Sequence, residues 1–414
     1  MASVVVNGDT SGAVTLSAPA VAGTVTVTLP ATSGTMLTTA SSTGVSGSAI
    51  SSGTVAEAYG GTGTSTGYYG FKNRIINGAM VIDQRNAGAA ITLATNIAGF
   101  PVDRLVMYKG TAGATVTGQQ ASASIAGFEK CAVWTTTVAS APAAGDINGI
   151  WQVIEGLNTL DLQWGTANAK ACTVSFWFKA TTAGTYALAV NSGNVDVSYV
   201  VTFSATSTFT YFSFSIPAPT TGTFSKTNTQ AMYVTIDAGS GTNYNTATTG
   251  SWIAGNFKRT SACVNSTANT NTLSLTGFQF EVGSTATSFD YRPYGTELAL
   301  CQRYFETLTS VGGSSVYVNF LNGGANSATQ ARYVYNYQVQ KRSSPSVTFT
   351  TASGFSTQKG DDSLTTCTAL VSEHLGINSC QVTTTVASGL TAGATSRLIA
   401  NGVSTAVISC SAEL

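Results

Sequence analysis

The chain has 414 residues, of which 43% are hydrophobic and only 9% are charged, with 18 Lys and Arg balancing 18 Asp and Glu. This hydrophobic share excludes intrinsic disorder, and the zero net charge argues against nucleic acid or an anionic membrane as a partner. The length suggests two or three domains, and Thr, Ser, Ala and Gly fill nearly every segment, as in an inert all-β extracellular protein.

The first residues (MASVVVNGD) lack the basic start and apolar segment of a secretory signal peptide, and no run of about 18 apolar residues occurs. We therefore expect neither export by the usual secretory route nor membrane insertion. The seven cysteines are widely spaced and form no CxxC pair. They are interpreted as buried free thiols.

Residues 1–56 are predicted to form a small β region. Hydroxyl and small apolar residues alternate in 14–18 and 23–30, which is the period of a β-strand. These strands carry few large side chains, so one chain alone would have a thin core. Packing of three chains around an axis would supply the missing core, and a homotrimer is therefore expected. An exposed low-complexity arm is the alternative.

Residues 57–70 contain glycine at a density that disfavours a strand interior, and they are predicted to be a linker. A phosphate-binding loop would need a Lys after the glycines and a helix after that. Both features are absent from this stretch.

Residues 71–293 are predicted to form a jelly-roll β-sandwich, because short strands alternate with Gly, Pro, Asn and Ser turns. In Phe176-Trp177-Phe178 both faces of one strand are aromatic, which indicates a core on one side and a groove or subunit contact on the other. The predicted strands are 150–155, 172–180, 184–190, 209–216 and 232–236.

Residues 294–308 form a connector with the only helical spacing in this part of the chain, at Leu298, Cys301 and Phe305. Residues 309–414 are predicted to be a C-terminal β-sandwich, with strands at 315–320, 331–337 and 346–350. Here Tyr333, Tyr335 and Tyr337 would share one strand face. That ladder is either a packing face or a receptor platform.

Several segments together resemble a known family. They are 73–85 (NRIINGAMVIDQR), 100–104 (FPVDR), 160–186, 277–293 (GFQFEVGSTATSFDYRP), 300–305 (LCQRYF) and 340–349 (QKRSSPSVTF). They resemble a jelly-roll module, similar to carbohydrate-binding modules, that recurs in the tail-fibre and receptor-binding proteins of tailed bacteriophages. In that family 73–85 and 277–293 would be the first and last strands of one domain.

The resemblance implies a homotrimeric tail fibre of the virion, made in the host cytoplasm and needing no cofactor. Its N-terminal region would attach to other tail or adaptor proteins, and its distal domains would bind host surface polysaccharide or protein. A purely structural virion component, such as a head fibre, decoration or fibre connector, is the alternative. A carbohydrate-binding protein unrelated to phages, or a depolymerase, is a third and weaker hypothesis.

Sugar recognition needs flat apolar faces beside short polar side chains. The carbohydrate-binding candidates are Trp134, Trp164, Trp252 and Tyr244, and for each the alternative is core packing. A structural Ca²⁺ is a secondary hypothesis. The resemblance places Asp83, Asp103, Glu281 and Asp290 in the matching segments, but no dense acidic loop is present, so no metal site is predicted.

Enzymatic activity is not expected. A glycosidase needs two carboxylates about 5–10 Å apart, and the available pairs, Glu155 with Asp161 and Asp361 with Asp362, lie in a turn and a loop. A Ser-His-Asp site would have to use His374, the only histidine.

Overall fold

A computed structural model describes residues 3–7, 13–17, 71–310 and 316–414. The chain divides into two compact units, residues 1–53 and 54–414. In the first unit, β1 (Ser3–Asn7) and β2 (Ala13–Ser17) pair as an antiparallel hairpin. The remaining predictions for residues 1–56, and the linker 57–70, lie outside the described residues.

The strands between residues 91 and 282 form two antiparallel sheets. The seven-stranded sheet has the order β14-β11-β10-β13-β8-β5-β4, and the six-stranded sheet has the order β12-β9-β15-β7-β6-β3. The strands are β3 (Ile91–Thr92), β4 (Ala98–Val102), β5 (Leu105–Lys109), β6 (Thr115–Ile125), β7 (Phe128–Val138), β8 (Asn148–Glu155), β9 (Cys172–Ala180), β10 (Gly184–Ser192), β11 (Val197–Ala205), β12 (Thr210–Ile216), β13 (Gln230–Asp237), β14 (Trp252–Ala254) and β15 (Thr272–Val282).

The two sheets enclose an aromatic core. Phe176 and Phe178 are fully buried in it, whereas Trp177 between them is half-buried on the opposite face. The prediction that this strand carries aromatic residues on both faces is therefore confirmed. Aromatic rings at this density bury much apolar area in a chain of otherwise small residues, and they account for much of the stability of the sandwich.

Residues 73–85 adjoin β15 as expected, but they do not form a strand. The Asn73 side chain binds the backbone of Phe278 and Phe280, and Arg74 N donates to Phe280 O at 2.8 Å. Turns follow because Asn77 and Met80 have positive φ angles. The Asn77 side chain is hydrogen-bonded to the backbone of the same segment, which stabilises the turns in place of a β ladder.

The connector contains α1 (Tyr294–Gln302), followed by β16 (Phe305–Thr309). The predicted helical turn is present, and Cys301 is buried with Tyr304 against Ile76 and Ile82. Within the described ranges no helix combines the length and the apolar character needed to cross a membrane.

The C-terminal region is all-β, as predicted, but most of its strands close into a barrel. The barrel order is β17-β18-β22-β21-β20-β23, and it closes because β17 pairs with both β18 and β23. A separate three-stranded sheet has the order β16-β24-β19. The strands are β17 (Asn319–Ala325), β18 (Gln330–Asn336), β19 (Ser346–Phe349), β20 (Phe355–Lys359), β21 (Leu364–Glu373), β22 (Ser379–Val386), β23 (Thr395–Ala400) and β24 (Val407–Ser411).

The predicted two-sheet arrangement therefore applies to the central domain and not to the barrel. Alternating residues predict the strands. Whether the two edge strands of a sheet pair and close it into a barrel depends on contacts between residues distant in sequence. The sheet formed by β16, β24 and β19 also begins before the predicted boundary at residue 309, because β16 pairs with β24 along its whole length.

Charged side chains join the sandwich to the C-terminal region. Glu413, next to the last residue, binds Arg85 and Arg104 of the sandwich. Arg342 donates to the carbonyl oxygens of Ala412 and Glu413 and, at 3.0 Å, to that of Asn228. These contacts hold the two parts of the second unit in a defined relation.

Candidate functional site

Two of the predicted carbohydrate-binding residues lie in the core. Trp134 is 0% exposed and its Nε1 donates to Thr136 Oγ1 at 3.1 Å. Trp164 is 3% exposed, and its Nε1 donates to Lys170 O at 2.7 Å. Neither ring face is accessible to a sugar, so the carbohydrate-binding prediction is wrong for these two residues. The apolar rings are buried while each indole N–H finds an internal acceptor.

Trp252 and Tyr244 remain partly accessible. The Trp252 ring packs edge to face on Trp164 at 5.5 Å, and its Nε1 donates to Pro217 O at 2.7 Å. Tyr244 is half-buried at the end of a short 3₁₀ helix, and its hydroxyl donates to Gly145 O at 3.3 Å. A binding role for these two residues remains a prediction.

The tyrosine ladder on β18 faces the barrel interior. Tyr333, Tyr335 and Tyr337 are all buried in the barrel core. The Tyr333 hydroxyl binds Thr357 Oγ1 at 3.1 Å, and the Tyr335 hydroxyl donates to Glu306 at 2.8 Å. The receptor-platform prediction is therefore wrong, and the packing alternative is correct. In a closed barrel, alternate side chains of each strand point into the interior, and the three tyrosines are among them.

The outer face of the six-stranded sheet carries a row of rings, of which Phe128 is buried and the others are at least partly exposed. We call it the aromatic row: Phe128, Trp177, Tyr211, Phe289 and Tyr291. The first contact in the row is made between adjacent strands, where Tyr211 of β12 pairs with Trp177 of β9 and the ring centroids lie 5.5 Å apart. At the other end, Phe128 lies 5.0 Å from Phe289 and 5.6 Å from Tyr291.

Gly277 joins the two halves of the row. Its φ angle is +60°, and a Cβ placed there would lie 2.7 Å from Phe128 and 3.0 Å from Trp177. Both rings therefore contact the bare backbone of β15, and any side chain at this position would separate them. The glycine makes the surface between the rings flat.

The accessible surface of the row is concentrated at its ends. Tyr211 is 42% exposed and Tyr291 is 58% exposed, while Trp177 and Phe289 are half-buried. The Tyr291 hydroxyl is fixed by donating to Gly127 O. Beside the row, the Lys179 ammonium lies 4.7 Å from the Phe209 ring centroid. Apolar ring faces thus lie on the same side of the sandwich as the Tyr291 hydroxyl and the Lys179 ammonium.

A pocket of about 250 Å³ adjoins the Phe128 end of the row. Its charged side is formed by Arg292 and Glu297, which are paired at 3.0 Å. Its remaining walls come from Asn77, Ala79, Val81, Gly127, Glu129, Phe289, Tyr291 and Tyr294. This pocket is mostly apolar, and it extends the row toward the connector helix.

The sequence predicted only part of this site. Trp177 was expected to face a groove or subunit contact, and it lies in the row. Phe128, Phe289 and Tyr291 were not singled out, although 277–293 was recognised as a characteristic segment. The available signal was the aromatic pair of Phe289 and Tyr291 in that segment. The same segment contains Gly277, a glycine inside an alternating strand.

A second pair of rings lies on the outer face of the seven-stranded sheet. Tyr108 of β5 and Trp151 of β8 have centroids 5.4 Å apart. Burial raises the pKa of nearby Tyr244, and the Tyr108 and Asp146 side chains raise it further. This pair is smaller than the aromatic row and does not adjoin the pocket described above.

The carboxylates considered for catalysis are bound to other groups. Glu155 is hydrogen-bonded by Arg303 and Tyr304, and Asp161 is paired with Arg74 at 2.7 Å. Asp361 and Asp362 lie in an exposed loop, where Arg397 binds Asp362. His374 is exposed at the end of β21. We find no paired acid and base facing a cleft among these residues.

The carboxylates considered for calcium are likewise occupied by donors of the same chain. Asp83 accepts hydrogen bonds from the backbone of Asn86 and Gly88, and Glu281 accepts them from Thr287. Over the described ranges no three His, Cys, Asp or Glu side chains are grouped as metal ligands would be.

No family model matches the chain, and no curated protein matches it. Solved structures do match parts of the chain. The enzymatically active domain of bacteriophage CBA120 tailspike protein 4 is 10% identical over 51% of this chain and 22% of its own length, with a TM-score of 0.26. The family 11 carbohydrate-binding module of Clostridium thermocellum Lic26A-Cel5E is 14% identical over 48% of this chain and 97% of its own, with a TM-score of 0.23.

A tandem pair of family 22 carbohydrate-binding modules from Paenibacillus barcinonensis Xyn10C is 8% identical over 80% of this chain and 99% of its own length, with a TM-score of 0.25. These similarities are low. The function proposed below is therefore argued from the residues of this chain.

Proposed function

We propose that this protein binds glycan through the aromatic row and serves as a tail fibre or receptor-binding protein of a bacteriophage virion. The observation that carries the proposal is the aromatic row, in which Gly277 of β15 lies between the Trp177–Tyr211 pair and the Phe128 group, with Tyr211 and Tyr291 exposed. Such a surface matches the C–H faces of consecutive pyranose rings, while neighbouring polar groups bind hydroxyls.

The virion assignment is supported by the resemblance of 73–85, 277–293 and 300–305 to phage tail-fibre modules. In this proposal the protein is a homotrimer of the phage tail, attached to tail or adaptor proteins by its N-terminal region, and it binds host surface polysaccharide. Each site would be weak, and three linked sites can raise the overall affinity by about 10²- to 10⁴-fold.

Binding of the full-length protein to host cells and to their extracted surface polysaccharide tests the proposal. The variants Trp177→Ala and Tyr211→Ala should each weaken binding about tenfold or more, since a stacked ring at a binding hot spot contributes above 1 kcal/mol. The matched control is Tyr317→Ala, which removes a tyrosine that is 54% exposed on the C-terminal region. It should bind like the wild type.

Two outcomes would count against the proposal. If a correctly assembled wild-type protein binds neither cells nor polysaccharide, the structural alternative is favoured and the row becomes a packing or subunit surface. If the wild type binds but both row variants bind equally well, the glycan site lies elsewhere on the chain.

A further inference from the structure

A cleft of about 650 Å³ lies where the sandwich meets the C-terminal region. It is formed by three parts of the chain, namely residues 82–87, the exposed side of α1 and one face of the β16 and β24 strands. We call it the interdomain cleft. Its lining residues include Gln84, Arg85, Tyr294, Gln302, Thr307 and Ser409. Boundaries between domains are common positions for ligand sites, and the volume is within the usual range of about 300–1,000 Å³.

One wall of the cleft is rich in hydroxyl groups. Thr307 of β16 pairs with Ser409 of β24, and Thr309 pairs with Val407, so these four side chains share one face of the three-stranded sheet. The opposite face carries Leu308 and residues of the barrel core. The sheet therefore packs Leu308 against the barrel and offers hydroxyl groups toward the cleft.

The other wall is polar, and its cation, Arg85, is already paired. The Arg85 guanidinium lies between two rings, 3.4 Å from the Phe305 centroid and 4.5 Å from the Phe100 centroid. It is also paired with Asp103 at 3.3 Å and Glu413 at 3.0 Å. Asp83 accepts backbone hydrogen bonds within its own turn, as described above. The one cation among these residues is thus paired and Asp83 adds a negative charge, which disfavours an anionic ligand and favours a neutral one that makes many hydrogen bonds.

Tyr294 links this cleft to the aromatic row. It is 62% exposed at the start of α1, and it lines both the pocket at the Phe128 end of the row and the interdomain cleft. Rings and hydrogen-bonding groups therefore continue from Tyr211 on β12, past Phe128 and Tyr291, to the hydroxyl-lined wall at Thr307.

We propose that the interdomain cleft is a second saccharide subsite for the chain that binds the aromatic row, with Tyr294 as the joining platform. This inference rests on the proposed function and makes it more specific. The ligand is then a neutral, linear oligosaccharide or polysaccharide bound along its length, and not a single terminal sugar. Short fragments would occupy the row alone, whereas longer fragments would reach Ser409.

The test uses the full-length protein and titration calorimetry with two probes. Both are cut from the neutral polysaccharide that the wild type retains most strongly in affinity gel electrophoresis, one a disaccharide and the other about six sugar residues long. Ser409→Trp fills the cleft, and Tyr294→Ala removes the joining ring without disturbing the core. The matched control is Thr348→Trp. Thr348 is the cross-strand neighbour of Ser409 and is exposed on the same face of the sheet, but it does not line the cleft.

We expect Ser409→Trp and Tyr294→Ala to weaken binding of the long fragment about tenfold while leaving disaccharide binding unchanged, and Thr348→Trp to alter neither. Equal binding of the long fragment by both variants and the wild type would overturn the cleft subsite, even if Trp177→Ala abolishes binding. The cleft subsite would also be overturned if Ser409→Trp weakened binding of both probes equally while the melting temperature stayed unchanged. If Trp177→Ala leaves both probes bound as in the wild type, the proposed function fails instead.

Discussion

The guanidinium of Arg303, just after α1, forms a two-point hydrogen bond with the carboxylate of Glu155, the last residue of β8. The Nε–Oε2 distance is 2.9 Å and the Nη2–Oε1 distance is 2.6 Å. Burial on its own would raise the pKa of Glu155, but the hydrogen bonds from Arg303 and Tyr304 outweigh burial and lower it. The pair fixes the connector against the sandwich.

Replacing Arg303 by Met should destabilise the protein by about 2–3 kcal/mol, because the buried carboxylate of Glu155 loses its cationic partner. Chemical unfolding followed by tryptophan fluorescence measures this change. The matched control is Arg397→Met, which breaks an exposed pair with Asp362 and should cost less than about 1 kcal/mol. Similar effects of the two substitutions would show that the buried pair contributes no more than a surface pair.

Gly277→Ala should lower both stability and glycan affinity. The added methyl group would lie within contact distance of two rings at a positive φ angle. Such a change typically costs about 1–3 kcal/mol through crowding and backbone strain. Gly283→Ala is a suitable control, since Gly283 also has a positive φ angle but a Cβ there would meet no atom within 4 Å. If Gly283→Ala lowers glycan affinity as much as Gly277→Ala, the effect is due to backbone strain and not to the separation of the rings.

The sequence predicted much of the fold because strand periodicity and aromatic alternation are local. Phe176, Trp177 and Phe178 lie on the faces that their spacing indicated. The carbohydrate-binding prediction was wrong for Trp164, because the neighbouring Gly165 indicates a turn but not the direction in which the ring points. The ring packs on Phe224 and Phe280, which are distant in sequence.

The aromatic row could not be predicted as a unit for the same reason. Phe128, Trp177 and Tyr211 lie on separate strands, and only the pairing of β12, β9, β15 and β7 brings them together. The closure of the barrel likewise depends on the long-range pairing of β17 with β23. Local patterns thus identify elements and buried faces, and the pairing of strands determines which surfaces result.

Acidification should strengthen the contribution of Asp103 to stability. Burial raises the pKa of Asp103 to about 6 from 3.8, despite the attraction of Arg85 and the hydrogen bonds from Gln84. Between these two values the folded protein binds the proton more tightly than the unfolded chain. The free energy of unfolding due to this group therefore increases as pH falls through the window, and this gain is lost as pH rises through about 6.

The full difference corresponds to roughly 3 kcal/mol. It can be measured as the difference in unfolding free energy between the wild type and Asp103→Asn at several pH values, since Asn resembles the protonated acid. The unfolding free energy of the wild type should rise relative to that of the variant as pH falls from about 7 to about 4. A difference that stays constant across this range would contradict the expected pKa.

Tyr335→Phe should destabilise the C-terminal region without changing glycan binding. The Tyr335 hydroxyl donates to buried Glu306, which also accepts a hydrogen bond at 2.6 Å from the buried ammonium of Lys341. Loss of one donor to a buried carboxylate costs about 1–3 kcal/mol. Thermal unfolding and polysaccharide binding should be measured on the same preparation. An unchanged melting temperature would contradict the expected loss of stability.

The thiols should be unreactive in the native protein. All seven cysteines are buried and free, as the sequence analysis predicted. Burial raises the pKa of Cys131 and Cys367 to about 11 and that of Cys410 to about 12, so little thiolate forms near neutral pH. A thiol-specific chromogenic reagent should therefore label none of the cysteines until denaturant is added, and all seven afterwards. Rapid labelling of one thiol in the native state would show that its strand opens locally, and peptide mapping would identify which one.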